Sequence, residues 1–143
     1  MKKELDIFLE DILNEIGLRD KLHLKKINGN IEYIKRNHST QFYELFGLIY
    51  NYFQNKNLSA SNVVDSYLSM INDMRKEGLY FYKNGKYRCS NQSAAYEYVY
   101  SLPNVMTYYM HALLISQILW KHHLIFLFIS KVKLKNYSKI KKS

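Results

Sequence analysis

Residues 96–123, YEYVYSLPNVMTYYMHALLISQILWKHH, are long, aromatic and almost continuously apolar. A helix with that pattern is either the centre of a packed core or a bilayer span. A span needs about 20 apolar residues in a row, and His111, Gln117 and the run Lys121-His122-His123 interrupt this one. The segment therefore demands that the rest of the chain pack against it. Pro103 suits a first helical turn, which predicts a helix over about 103–122. Its apolar positions are Val105, Met106, Tyr109, Leu113, Leu114, Ile118, Leu119 and Trp120. The run LIFLFIS (124–130) extends that helix or forms a strand, and residues 91–100 read as a further helix ahead of it.

Covering material is present on the N-terminal side. Leu5, Phe8, Leu9, Ile12 and Ile16 recur at three- and four-residue steps, with Gly17 where a C-cap would sit. This predicts an amphipathic helix over roughly 3–16, its stripe covered by the chain itself or by a second copy. From Leu18 to His38 the pattern degrades, and Asn28-Gly29 leaves a short helix, a loop and a small hairpin all open. Ser39 can cap a helix over 40–54 with Phe42, Leu45, Phe46, Ile49, Tyr50 and Phe53 inward. Ser61 or Asn62 can cap another, with Val64, Tyr67, Leu68, Ile71 and Met74 on one side and Gly78 ending it. In LYFYKNGKYRC, Asn84-Gly85 is a strong hairpin signal, because a type I′ turn needs positive φ at both central residues. The reading is mainly α: a helical bundle over 1–130 with a winged-helix-like β-hairpin at about 79–89, the winged-helix-like portion spanning about 40–90.

Charge is divided unevenly between this domain and the C-terminal end of the chain. Of 143 residues, the first 97 carry 14 basic and 12 acidic side chains, whereas residues 98–143 carry seven lysines and no acid. Six of those lysines lie in 131–143, KVKLKNYSKIKKS, a basic tail that reads as flexible or as a truncated linker. The net charge of +9 is thus a property of a terminus and not of a folded face. In a DNA-reading winged helix the second helix enters the major groove. Here it would carry Asp65, Asp73 and Glu77 toward phosphates, which argues against nucleic acid. The single cysteine, Cys89, permits no internal disulfide, and acids interrupt the apolar positions of MKKELDIFLEDILNEIG, so a reducing, cytoplasmic setting is expected.

EGLYFYKNGKYRCS (77–90) followed by YEYVYSLPNVMTYYMHALLISQILWKHHLIFLFI (96–129) resembles the N-terminal helical region of class I S-adenosylmethionine-dependent methyltransferases of O-methyltransferase type. The likeness covers about residues 40–130. It implies a dimerisation and substrate-cap region, acting as a homodimer and joined in cis or in trans to a C-terminal catalytic domain. In that family a Rossmann-like domain binds S-adenosylmethionine. Such binding needs a strand ending in a glycine-rich turn and then an acid for the ribose. Gly17, Gly29, Gly47, Gly78 and Gly85 are isolated, and no acid occurs after Glu97. This chain alone is therefore expected to bind no cofactor and to transfer no methyl group, and the ending is read as that of a truncated or separately encoded piece.

The resemblance also implies a substrate-pocket wall. Tyr108, Tyr109, Met110, Trp120 and His123 are the candidates, set against plain core packing for the aromatic and methionine stripe. No metal site is expected: His122 and His123 are adjacent and diverge on a helix, and His111 lies about three turns away. Two further classes compete with the cap: a stand-alone winged-helix nucleic-acid binder using the basic tail, and a helical interaction protein that homodimerises through the Leu5–Ile16 stripe.

Overall fold

The computed structural model describes residues 1–86 and 103–123, and over them the protein is mainly α. Among these residues five helices occur in order: α1 (Lys2–Arg19), α2 (Lys21–Asn37), α3 (Ser39–Asn55), α4 (Ala60–Asn84) and α5 (Pro103–Leu119). The long α4 is central, packing along α5 and across α1, while α2 and α3 contact α1, α5 and each other. Their inward faces form one core. The Leu5, Phe8, Leu9, Ile12 and Ile16 stripe is buried within the chain itself, so it is not a surface for a second copy. Arg19, at the end of α1, pairs with Asp65 of α4 and with Glu15.

Helix boundaries depart from the expected ones for local reasons. α1 runs through Gly17 and stops at Asp20, whose N–H donates to the Ile16 carbonyl. Asp20 is also the N-cap of α2, its Oδ1 accepting from the His23 N–H at 3.0 Å. The undecided stretch 18–38 is thus a helix, burying Ile27, Ile31 and Ile34. Asn28-Gly29 lies inside it, at the roughly 1 kcal/mol that a mid-helix glycine concedes to alanine. His38, not Ser39, is the N-cap of α3. α4 starts two or three residues earlier than expected at a capping box, with Ser59 and Asn62 bonding each other's backbone N–H.

The expected hairpin is corrected over its first strand: α4 continues through Gly78 and residues 79–84 are helical. Gly85 has positive φ (71°), but it uses that freedom as a left-handed C-cap, its N–H donating to the Phe81 carbonyl at 2.7 Å. Asn84 reinforces the end, its Nδ2 donating to the Tyr80 carbonyl. A type I′ turn and a helix C-cap ask the same thing of the glycine, so the dipeptide alone cannot distinguish them. No strand occurs among the described residues. The second strand with Cys89, the helix expected over 91–100, the run 124–130 and the basic tail 131–143 lie outside them.

α5 begins at Pro103 as expected and ends at Leu119. It buries Ala112, Ile115, Ser116, Ile118 and Leu119, whereas Leu113 is exposed. Met74 of α4, expected inward, is likewise exposed, and Val63 and Met70 are buried in addition to the expected Val64, Tyr67 and Ile71. Among the described residues no helix is long and apolar enough to cross a membrane.

Candidate ligand cleft

Tyr67 is the polar centre of the core. It is fully buried on α4, and its hydroxyl lies 2.7 Å from Trp120 Nε1 and 2.6 Å from His23 Nε2. An indole N–H can only donate, so the phenol oxygen accepts from Trp120. The phenol proton then goes to His23 Nε2, which leaves the imidazole neutral with its own proton on Nδ1. This arrangement satisfies all three groups, and no buried side-chain N or O among the described residues lacks a partner. The electrostatics agree: burial, ahead of the neighbouring Arg75 and Lys26 charges, holds the His23 pKa below its ordinary value against the opposing pull of Asp20. Burial pushes the Tyr67 phenol up to about 12.

This network borders a cleft of about 800 Å³ between α2, α4 and the residues just after α5. Its α2 side carries Leu22, His23 and Lys26, its α4 side Ile71, Met74 and Arg75, and its third side Trp120, Lys121 and His122. Arg75 is oriented by Asp20, Nη2 to Oδ2 2.9 Å. The Asp20 carboxyl is held below its usual pKa by the His23 backbone N–H first and by Arg75 second. Lys121 sits over the Tyr33 ring, 4.9 Å from its centroid. Among the described residues the cleft lining thus offers cations, two imidazoles and apolar surface, a set suited to holding an anion.

The five expected wall residues do not come together. Trp120 lines the cleft, and His123 packs on its indole with ring centroids 4.8 Å apart. The His123 Nδ1 faces Ser116 Oγ at 3.2 Å, and burial lowers the pKa of the ring. Tyr108 and Tyr109 lie about three turns back along α5. They stack on each other at 5.2 Å, and the Tyr108 hydroxyl donates to Asp73 of α4. Met110 lines a separate apolar groove with Leu45, Leu48, Ile49, Tyr52 and Leu113, between α3 and α5. His111 packs edge-on against Tyr52 and Phe53. Among the described residues no three His, Cys, Asp or Glu side chains could hold a metal.

His23, Lys26 and Arg75 are cleft residues that the sequence patterns do not single out. The usable signal is the spacing of Leu24, Ile27, Ile31 and Ile34, which makes a helix of 18–38 and places His23 and Lys26 on one element. Comparison of the chain with protein-family models, with curated proteins and with solved structures returns no match.

Proposed function

We propose that the chain is the helical dimerisation and substrate-cap region of an S-adenosylmethionine-dependent methyltransferase. The sequence likeness over 77–90 and 96–129 supplies the family. The observation that supports the role is the cleft beside Trp120, where cations and apolar side chains face one space. The described residues do not fit the cofactor. Gly17, Gly29, Gly47 and Gly78 are inside helices and Gly85 ends one, so none forms the turn after a strand that a nucleoside cofactor requires. The methyl donor would be held by a Rossmann-like domain supplied in cis or in trans. Calorimetry with S-adenosylmethionine should give no heat of binding to this chain, and a micromolar affinity would sink the reading. A neighbouring coding region with a strand and a D/E-x-G-x-G-like turn would support it.

The dimerisation role falls to the groove between α3 and α5, since the α1 stripe is spent on the chain's own core. The groove is lined almost entirely by apolar side chains, and Leu48, Met110 and Leu113 on it are exposed. Sedimentation velocity should show a dimer that Leu48→Asp converts to a monomer. An unaltered sedimentation coefficient would place the contact elsewhere. The competing nucleic-acid reading loses the first strand of its wing, as does the winged-helix-like part of the methyltransferase likeness, because residues 79–84 are helical.

A further inference from the structure

Three permanent cations converge on the cleft beside Trp120, and His122 adds an imidazole. Lys26 makes no ion pair among the described residues, and Arg75 has five N–H donors, of which its hydrogen bond to Asp20 comes from Nη2. Asp20 is the carboxylate hydrogen-bonded to Arg75, and it lies outside the lining. Charge alone would describe a phosphate-binding patch. The remaining lining does not, because Leu22, Ile71, Met74 and the Trp120 indole present apolar surface that an inorganic anion would leave wet. A cleft of about 800 Å³ lies within the roughly 300–1,000 Å³ of small-molecule sites.

We propose that this cleft binds an amphiphilic organic anion, its acid group on Arg75, Lys26 and Lys121 and its hydrocarbon body against Met74, Ile71 and Trp120. A planar guanidinium pairs with a carboxylate through two parallel N–H bonds, and Arg75 is pre-set by Asp20. The floor is rigid, since Trp120 is tied to Tyr67 and Tyr67 to His23. That such an acid is the methyl acceptor rests on the methyltransferase reading; that it binds does not.

Trp120 is the single tryptophan of the chain, so its emission reports on the cleft directly. Excited selectively, it should change saturably as 4-phenylbutyrate is added, with about tenfold weaker binding of the neutral 4-phenylbutyramide, a ratio worth about 1.4 kcal/mol. The double variant Lys26→Met/Arg75→Met should remove that preference while keeping the wild-type helical circular-dichroism spectrum, and Arg75→Lys, which keeps a cation beside Asp20, should retain it in part. Leu48→Asp, in the other groove, should leave it unchanged. Equal binding of acid and amide, competition by inorganic phosphate as strong as by the acid, or no saturable change would each overturn the proposal. Probe binding with no methyltransferase domain to be found would sink the enzyme reading alone. An identified catalytic domain with no probe binding would sink this inference alone.

Discussion

Phe53→Ala is expected to lower the unfolding free energy by about 3–5 kcal/mol, the usual range for emptying a buried aromatic site. Phe53 is fully buried on α3 and joins three helices. Its ring lies 6.5 Å from Phe8 of α1 and 5.9 Å from His111 of α5. Because each neighbour is fixed by its own helix, the site cannot collapse around the missing ring. A domain of this size is stable by roughly 5–15 kcal/mol, so one substitution would remove a third or more. Urea denaturation monitored by circular dichroism should show the midpoint falling with the slope retained. A loss below about 1 kcal/mol would mean that the three helices do not meet at this ring.

Tyr67→Phe removes one oxygen and should still cost about 1–3 kcal/mol, because the half-buried Trp120 N–H and His23 Nε2 lose their partner at once. The volume is nearly kept, so the loss is not a cavity effect. The Trp120 N–H is left with no acceptor and His23 Nε2 with no donor. The Trp120 emission maximum should move as well, which separates a broken network from a general loosening. A variant within about 0.5 kcal/mol of wild type would show that water replaces the hydroxyl and that the three groups are not a closed set.

Much of the helical framework is legible in local sequence, because burial at three- and four-residue steps needs no knowledge of the partner. The α1 stripe and the α3 positions Phe42, Phe46, Ile49 and Phe53 are buried as their spacing indicates. Legibility fails where one local signal serves two structures. Asn28-Gly29 resembles a turn but rides inside α2, where Ile27, Ile31 and Ile34 outweigh the glycine. Asn84-Gly85 resembles a hairpin tip but closes α4. The site is less legible than the frame for another reason. His23 and Tyr67 are 44 residues apart, and Tyr67 and Trp120 are 53 apart. Such meetings depend on helix crossings that no window of neighbouring residues encodes. Tyr67 is legible as a core residue, but nothing near it in the chain indicates what its hydroxyl holds.

Asp20 is a single-residue joint at which three constraints meet. Its N–H closes α1, its Oδ1 opens α2 and its Oδ2 grips Arg75 of α4. Swinging α2 away from α4 would break that grip and also the bond between His23 and Tyr67. The gap between those two helices is therefore held at a set width, and a guest entering it would meet a mould already cast instead of a door that has to swing.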